Sequence, residues 1–447
     1  MALKITVIGT GYLGATHAAA MAELGFEVLG LDVVPEKIEM LGRGQVPMFE
    51  PGLEELLRKH VAGIEGSTGR LRFTMDWAEV AEFGDVHFVC VNTPQKHGEY
   101  ACDMSYVDSA VESLAKHLRG PNLVVGKSTV PVGSADRLAA RILELAPGGG
   151  EVELAWNPEF LREGFAVDDT LHPDRIVVGV RSERAEKLLR EVYATPIADG
   201  SPFVVTDFPT AELVKTSANS FLATKISFIN AMAEVCEAAG GDVAKLAEAI
   251  GHDDRIGKKF LRAGIGFGGG CLPKDIRAFM ARAGELGADQ ALTFLREIDS
   301  INMRQRGQMV ELARQALGGG SFLGKRVAVL GATFKPDSDD VRDSPALNVA
   351  GQIHLQGGQV TVYDPKGMTN ARRLFPTLGY ADSATDAVRG ADVVLHLTEW
   401  REFRELDPKT LGEVAAARVI LDGRNALDPE LWRKAGWSYR AMGRPTA

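Results

Sequence analysis

The segment Lys4–Asp32, KITVIGTGYLGATHAAAMAELGFEVLGLD, constrains the fold more than any other part of the chain. A β-branched run leads into Gly9, Gly11 and Gly14 in GxGxxG spacing, and a helical stretch, a second strand pattern and Asp32 follow. In a βαβ unit these glycines permit a tight turn, close approach of a pyrophosphate and close packing of helix on strand. The helix N-terminus then faces the phosphates. The segment predicts a parallel sheet that holds a dinucleotide, rather than a ligand-free turn of the same fold.

The acidic residue Asp32 indicates which dinucleotide binds. A carboxylate at this position accepts hydrogen bonds from the adenosine ribose and repels a 2′-phosphate, so the predicted cofactor is NAD rather than NADP. Two further strand patterns end in hydroxyl residues and a proline, at Thr93 and Pro94 in VNTP and at Thr129 in KSTVPVG. Ligands of open α/β sheets bind beyond the carboxyl ends of the strands. Either segment could equally be a plain strand-to-loop turn.

Length and charge narrow the class of protein. The 447 residues suffice for three domains of roughly 150 residues each. The formal net charge of −10 and the lack of a basic run argue against a nucleic-acid partner. No apolar run reaches transmembrane length, and no signal-peptide pattern precedes the first strand. We therefore expect a cytoplasmic protein that does not bind a membrane.

The cysteines are Cys90, Cys102, Cys236 and Cys271. They form no CxxC pair and have no histidine at zinc-like spacing, so no metal site is expected. In a reducing compartment they should be thiols. Cys90 and Cys236 lie in apolar patterns that indicate small core residues, and Cys102 stays undecided.

From about residue 210 the pattern becomes helical. Lys215 and Asn219 are four positions apart in ELVKTSANSF, so they share one helix face. Such residues usually lie on a solvated surface. A second stretch, from about residue 288 to 317, predicts one helix long enough to bridge domains, and GGGSFLGK then marks a boundary.

Between these helices lies GIGFGGGCLPKD, residues 264 to 275, with five glycines in the seven residues before Cys271. Pro273 suits the first turn of a following helix, which places Cys271 at or just before a helix N-terminus. The helix dipole and Lys274 should lower the pKa of its thiol below about 8.5. This pattern indicates a reactive thiol beside backbone that a ligand can approach, rather than a buried cysteine in a tight turn.

Glu159 and Glu163 are four apart in NPEFLREG and would share a face on a helical turn. A solvated acidic edge is the ordinary explanation. The apolar neighbours Trp156, Phe160 and Leu161 make a poor solvent face and argue against it.

The last third of the chain has the same strand–helix–strand pattern as the first third. A strand pattern ends at Gly331, a helix follows, and a second strand pattern ends at Asp364. The GxGxxG spacing is missing, and Lys335 stands where a pyrophosphate would lie. This half is expected to hold a second phosphorylated, nucleotide-like ligand.

These patterns predict an α/β protein with two Rossmann-like doubly wound domains joined by a central helical region with one long helix. The expected boundaries are 1–205 for the NAD-binding domain, 206–320 for the helical dimerisation and catalytic region, and 321–447 for the second Rossmann-like domain.

The chain resembles the UDP-glucose/GDP-mannose dehydrogenase family over nearly its whole length. The shared motifs include GTGYLG, EPGLEELL, VNTP, KSTVPVG, NPEFLREG, GFGGGCLPKD and FKPDSDDVRDSP. One departure is Gly270, where many relatives have a serine before the cysteine. This leaves the nucleophile in place but could alter local hydrogen bonding.

The resemblance implies oxidation of a primary alcohol of a nucleotide sugar to a carboxylate, with two NAD used in sequence. Cys271 would trap the aldehyde as a thiohemiacetal, and a thioester would then be hydrolysed. Lys215 and Asn219 would stabilise the oxyanion, Asp275 would support proton transfer through a water, and Glu163 is a candidate base for the hydrolysis. Thr129 would lie near that water and the nicotinamide.

The resemblance also implies ligand contacts. The NAD contacts expected are Gly9, Thr10, Gly11, Tyr12, Leu13, Gly14, Asp32, Lys37, Thr93, Pro94, Thr129, Glu163, Lys274 and Arg342. The substrate contacts expected are Glu159, Phe160, Leu161, Arg162, Glu163, Lys215, Asn219, Arg255, Phe260, Leu261, Arg262, Ala263, Gly264, Gly268, Lys335 and Arg424. Arg255 resembles an arginine that the family lends across a subunit interface, which implies a homodimer formed through the middle helices.

The likeness of EPGLEELL favours UDP-glucose as the substrate, with UDP-glucuronate as the product. The alternatives are GDP-mannose with the same chemistry, a two-electron hydroxy-acid dehydrogenase, and a non-enzymatic NAD sensor. Cys271 and Lys335 argue against the hydroxy-acid dehydrogenase. The Lys–Asn–Cys–Asp set argues against the sensor.

Overall fold

Two β-sheets organise the computed structural model, which describes residues 3–445. Its contacts divide the chain into two units. Unit 1 runs up to Ala218 and adds Arg277–Leu286, whereas unit 2 comprises Asn219–Ile276 and the described chain from Gly287 onward. The division into three domains at residues 205 and 320 stays a prediction.

Unit 1 contains an eight-stranded sheet in the order β3-β2-β1-β4-β5-β6-β7-β8. The strands are β1 (Lys4–Ile8), β2 (Glu27–Leu31), β3 (Leu71–Thr74), β4 (Val86–Val89), β5 (Leu123–Gly126), β6 (Glu153–Trp156), β7 (Ile176–Gly179) and β8 (Phe203–Thr206). The first six pair in parallel, in the Rossmann order 3-2-1-4-5-6. β7 is antiparallel to β6 and parallel to β8, which extends the sheet.

The helices of unit 1 cover both faces of this sheet. They are α1 (Tyr12–Glu23), α2 (Pro35–Gly42), α3 (Leu53–His60), α4 (Trp77–Phe83), α5 (Ser105–Ala115), α6 (Ser134–Leu145), α7 (Ala166–Leu171), α8 (Glu183–Val192) and α9 (Ala194–Ala198), with a 3-10 turn at Gly149–Glu151. On β5, Leu123 and Val125 pack in one apolar cluster and Val124 in another. Because alternate residues of a strand point to opposite faces, both faces of the sheet are buried.

The helical middle of the chain contains α10 (Phe208–Ala239), α11 (Val243–Gly251), α12 (Leu272–Glu285) and α13 (Thr293–Ala316). The predicted helix from residue 288 therefore starts later. A 3-10 turn at Asp289–Leu292 precedes the helix, and turns with i→i+3 hydrogen bonds are common at helix N-termini. No helix between residues 3 and 445 is both long enough and apolar enough to cross a membrane.

Unit 2 contains a six-stranded parallel sheet in the order β11-β10-β9-β12-β13-β14. The strands are β9 (Arg326–Leu330), β10 (Gln359–Tyr363), β11 (Gly379–Tyr380), β12 (Val393–His396), β13 (Val419–Asp422) and β14 (Ser438–Ala441). The helices after β9 are α14 (Pro345–Leu355), α15 (Met368–Leu374), α16 (Ala384–Val388), α17 (Arg401–Arg404), α18 (Pro408–Val414) and α19 (Pro429–Lys434). This is the same doubly wound order, so the predicted fold class is confirmed.

Candidate active site

The glycines of the β1–α1 turn have three different environments. Gly9 has a φ of +85°, and a Cβ there would lie 2.7 Å from Cγ1 of Val91. A Cβ on Gly14 would overlap the carbonyl oxygen of Gly9. Among residues 3–445, no atom outside Gly11 and its two chain neighbours lies within 4 Å of the position that a Cβ on Gly11 would take. Gly9 and Gly14 thus fit the roles of turn and packing glycines, and the space at Gly11 fits a pyrophosphate at the start of α1.

Asp32 lies at the carboxyl end of β2 and is 6% exposed. Its carboxylate accepts hydrogen bonds from the Thr10 backbone N–H at 2.9 Å and from the Val34 N–H at 3.1 Å. The Lys37 ammonium lies 3.5 Å away. These contacts fix the carboxylate beside the glycine turn, where NAD binding requires it.

Thr93 and Thr129 come together at the ends of β4 and β5. The Thr93 hydroxyl donates to the Thr129 carbonyl oxygen at 2.8 Å, and the Ser128 hydroxyl donates to the Val91 carbonyl oxygen at 2.7 Å. These hydroxyls tie the two strand ends to one another, and Pro94 follows directly.

Glu159 and Glu163 do not share a helical turn, so that expectation is wrong. Residues 157–162 form no helix, and Glu163 lies in a turn before α7. The physical reason is that side-chain carboxylates take backbone N–H groups here. The Glu159 carboxylate accepts from the Leu161 N–H at 2.6 Å and lies 2.9 Å from the Lys215 ammonium.

Arg162 has its guanidinium on Asp169, with bonds of 2.9 and 2.5 Å. The backbone N–H groups of Gly164 and Ala166 each donate to the buried carboxylate of Glu50 at 2.7 Å. Glu50 is not among the functional residues predicted from sequence. Its only signal was its place in the shared motif EPGLEELL.

A buried polar cluster behind this segment was also missed. The Lys127 ammonium, 6% exposed, donates to Asn157 Oδ1 at 3.0 Å, and the Tyr193 hydroxyl donates to the same oxygen at 2.6 Å. With His17 and Glu159 they line a cavity of about 50 Å³. Burial lowers the pKa of Lys127 to about 8 and lowers that of His17. Lys127 and Asn157 follow β5 and β6, a position that could have suggested them.

Lys215 and Asn219 lie one turn apart on α10 and are 5% and 8% exposed, so they are not solvated surface residues. The Asn219 side-chain amide donates to Asp275 Oδ2 at 2.6 Å. The Lys274 ammonium lies 2.7 Å from Asp275 Oδ1. Asp275 is 2% exposed, so an amide and a cation hold a buried carboxylate in unit 2.

Cys271 immediately precedes α12, and its carbonyl oxygen accepts from the Asp275 N–H at 2.9 Å. This is the N-cap position that Pro273 predicted. The side chain of Cys271 is exposed, whereas Cys90, Cys102 and Cys236 are buried. Cys90 and Cys236 are core residues, as expected, and Cys102 approaches the Thr93 carbonyl oxygen at 3.8 Å.

The glycine loop before Cys271 is packed too closely for side chains. A Cβ added to Gly264 would overlap the Gly423 carbonyl oxygen, and one added to Gly266 would overlap the Asn302 side chain. A Cβ on Gly268 would overlap the Asp343 carbonyl oxygen, and one on Gly270 the Arg342 guanidinium. A Cβ on Gly269 would lie 2.9 Å from the Phe334 ring. The Asn302 side chain accepts from the Phe267 N–H at 2.7 Å and donates to the Phe267 carbonyl oxygen at 3.0 Å. The loop thus has a fixed path, and Gly270 makes room for Arg342.

The remaining predicted substrate residues of unit 2 differ in exposure. The Arg424 guanidinium donates to the carbonyl oxygens of Leu397, Gly266 and Phe334 at 2.8, 2.8 and 3.1 Å. Leu261 and Ala263 are buried, Lys335 and Arg424 are partly buried, and Phe260, Arg262 and Arg255 are exposed. Arg255 pairs with Asp253 at 2.6 Å. The assignment of these residues to substrate stays a prediction.

In the second sheet, Asp364 ends β10 as Asp32 ends β2. Its Oδ2 accepts from the N–H groups of Ala332 and Thr333 and from the Trp400 indole, and its Oδ1 accepts from Gly367 N–H. The side chain is 1% exposed. In the second sheet, the turn after β9 therefore donates its backbone N–H groups to the Asp364 carboxylate, which leaves this carboxylate almost no exposed surface.

The Rossmann order of the first sheet, its glycine turn and Asp32 define a dinucleotide-binding domain of the kind found in NAD-dependent oxidoreductases. Three domain profiles narrow the class: an NAD binding domain over residues 3–197, a central domain over 209–304 and a UDP binding domain over 328–429. The chain belongs to the UDP-glucose/GDP-mannose dehydrogenase family, as its motifs predicted.

Curated and solved relatives agree with this assignment. A UDP-glucose 6-dehydrogenase of Rhizobium meliloti is 41% identical over 99% of this chain and 100% of its own length. The structure of a UDP-glucose dehydrogenase from Pyrobaculum islandicum has a TM-score of 0.89 at 35% identity, covering 99% of this chain and 98% of that one. A UDP-D-ManNAc dehydrogenase from Pyrococcus horikoshii has a TM-score of 0.86 at 27% identity, covering 100% of both chains.

Proposed function

We propose that this protein oxidises UDP-glucose to UDP-glucuronate in two successive steps, with Cys271 holding the intermediate covalently. The observation that carries the proposal is the exposed thiol at the N-cap of α12, four residues before the buried Asp275 that Asn219 and Lys274 hold. A hydroxy-acid dehydrogenase needs no such thiol. The match to a UDP binding domain and the 41% identity to a UDP-glucose 6-dehydrogenase favour this substrate.

In the first step, the C6 hydroxyl loses its proton and C6 loses a hydride. NAD, when bound, supplies the hydride acceptor for both oxidations. Asp275 receives the proton through a water, while Lys215 and Asn219 stabilise the negative charge on the oxygen. The low exposure of all three side chains supports these roles, because charge stabilisation is stronger away from bulk water.

The thiolate of Cys271 then attacks the aldehyde carbon, and the carbonyl oxygen takes up a proton to give a thiohemiacetal. Loss of the hydroxyl proton and of a second hydride from that carbon leaves a thioester. Water attacks the thioester and gives one proton to Glu163 as base, and the carbon–sulfur bond breaks with departure of the Cys271 thiolate. The carboxylic acid that forms then loses its remaining proton to solvent and is released as the carboxylate. Thr129 is proposed to orient this water.

For the sugar nucleotide, we propose Lys335 as a diphosphate contact. Glu159–Arg162, Phe260–Gly264, Gly268 and Arg424 are proposed to surround the sugar and nucleotide. Arg342 and Lys274 are proposed to contact NAD. The match of residues 328–429 to a UDP binding domain supports the place of Lys335 in this scheme.

We propose that the protein acts as a homodimer in which Arg255 reaches the substrate of the partner. Phe221, Phe228 and Val235 of α10 recur every seven residues and are 66%, 47% and 56% exposed. Such a row of exposed apolar side chains fits a helix–helix interface. The high exposure of the Arg255 side chain, 89%, fits a residue that acts outside its own chain.

The test measures NADH formed from limiting UDP-glucose, GDP-mannose and UDP-N-acetyl sugars under the same conditions. UDP-glucose should give two NADH per sugar, and NADP should be a poor substitute. One NADH per sugar with release of aldehyde would refute the covalent route. A preference for GDP-mannose would keep the mechanism and change the substrate.

A further inference from the structure

The segment from Leu161 to Ala166 follows an irregular path that carboxylates fix. The N–H of Leu161 donates to Glu159 at 2.6 Å, and the N–H of Arg162 donates to Asp169 at 2.8 Å. The N–H groups of Gly164 and Ala166 donate to Glu50. Backbone outside helices and strands needs such acceptors when it is removed from water. These carboxylates therefore hold the backbone on both sides of Glu163.

Glu50 differs from the other two because it comes from a distant part of the chain. It is 114 residues from Gly164 and lies before α3. It is 4% exposed, and it also accepts a hydrogen bond from the hydroxyl of Tyr12, the first residue of α1. That hydroxyl in turn accepts from the Gly164 N–H at 3.0 Å. One buried carboxylate thus joins the dinucleotide turn to the residue after Glu163.

We propose that Glu50 is a positioning residue for the hydrolytic step. It does not touch the substrate; it holds Gly164 and Ala166, and through them it keeps Glu163 where it can take a proton from water. This rests on the function proposed above. The step it serves is attack of the water oxygen on the acyl carbon, cleavage of the carbon–sulfur bond, departure of the Cys271 thiolate and transfer of the water proton to Glu163.

The test variant is Glu50→Gln, which keeps the size of the side chain but replaces one accepting oxygen by an amide nitrogen that cannot accept. Its matched control is Glu55→Gln, the same change at an exposed position of α3. Each enzyme is mixed with UDP-glucose and NAD, quenched in acid and weighed by intact-protein mass spectrometry. We expect Glu50→Gln to release two NADH in a burst, to accumulate the thioester on Cys271 and to lose roughly tenfold or more in kcat. The KM for UDP-glucose should fall together with kcat, so that kcat/KM changes by less than about twofold, because only the step after thioester formation is slowed.

A role in folding alone would lower activity without accumulating the thioester, so the adduct separates the two explanations. Glu163→Gln serves as the reference that should accumulate it fully. If Glu163→Gln accumulates the adduct and Glu50→Gln does not, Glu50 has no positioning role. If no variant ever carries an adduct, the covalent route is refuted and this proposal with it.

Tyr12→Phe keeps the proposal testable if Glu50→Gln does not fold. This variant removes the hydroxyl that donates to Glu50 and accepts from the Gly164 N–H, but it keeps the bonds from Gly164 and Ala166 to Glu50, so the loop should be loosened only in part. A smaller but measurable fraction of thioester is expected, with two NADH in the burst as before. A Tyr12→Phe enzyme whose adduct level matches the wild type would then overturn the proposal.

Discussion

A Cβ on Gly14 would overlap the carbonyl oxygen of Gly9, whereas a Cβ on Gly11 would contact no described residue beyond its two chain neighbours. The two glycines therefore have separable roles. We predict that Gly14→Ala costs at least about 3 kcal/mol of unfolding free energy, because two backbones must move apart. Gly11→Ala should leave unfolding nearly unchanged and weaken NAD binding by about tenfold or more. Denaturant unfolding and NAD titration check both; equal effects of the two variants on stability would contradict the assignment.

The Cys271 thiol should be required for turnover but not for binding of UDP-glucose. Cys271→Ser should nearly abolish turnover yet accumulate a covalent sugar adduct, because an oxygen ester is hydrolysed more slowly than a thioester. Cys271→Ala should form no adduct and should bind UDP-glucose almost normally. Intact-protein mass spectrometry and UDP-glucose titration measure these outcomes. An alanine variant that makes UDP-glucuronate at the wild-type rate would reduce Cys271 to a packed turn residue.

Lys335 should matter for one ligand only. Lys335→Ala should weaken UDP-glucose binding by roughly tenfold to a hundredfold, the size of a lost charge-assisted phosphate contact. NAD binding should stay within about twofold. Calorimetric titration of both ligands gives the comparison, and Lys409→Ala, at an exposed position of α18, is the control. Equal losses for both ligands would refute the assignment.

Arg255 allows a complementation test of the dimer. Arg255→Ala and Cys271→Ala should each be almost inactive. A mixed dimer has one complete site, made of the thiol of one subunit and Arg255 of the other. Random reassociation makes about half of the dimers mixed, so about a quarter of wild-type activity should return. Activity of the re-equilibrated mixture is the measurement. A mixture that stays inactive would show that Arg255 acts within its own chain.

Lys127 should make stability depend on pH. Its pKa falls from 10.5 to about 8 through burial, so the buried ammonium costs about 3 kcal/mol below pH 8. This cost is relieved as pH rises from 8 towards 10.5, where the unfolded chain also loses the proton. Lys127→Met should therefore gain stability over wild type at pH 7, and the gain should shrink near pH 10. Urea unfolding at both pH values tests this, with the exposed Lys116→Met as control; a gain that does not vary with pH would contradict it.

Features that depend on residues close together in the chain could be predicted from sequence, whereas features that depend on distant residues could not. The glycine turn with Asp32 and the N-cap position of Cys271 depend on neighbours within one βαβ unit or one helical turn. Spacing alone therefore identifies them. The roles of Glu50 and Lys127 depend on partners 114 and 30 residues away, so no local pattern could reveal them.

The error at Glu159 and Glu163 has a related cause. Their spacing of four suits a helix, but Glu159 and Asp169 bind the N–H groups of Leu161 and Arg162 that a helix would otherwise use. Competition between side-chain acceptors and helical hydrogen bonds is set by tertiary structure. The spacing of the two glutamates alone could not indicate this competition.

The closed carboxylate of Asp364 has a consequence for how the two halves of the chain share ligands. NAD and a UDP-sugar both carry a diphosphate and a ribose, so two similar Rossmann sheets could each admit either molecule. In unit 2 the strand-end carboxylate already accepts from Ala332, Thr333, Gly367 and Trp400, and none of its surface is left to accept from a ribose hydroxyl. We therefore expect Asp364 not to accept from a ribose, and we expect NAD to compete poorly with a sugar nucleotide for unit 2.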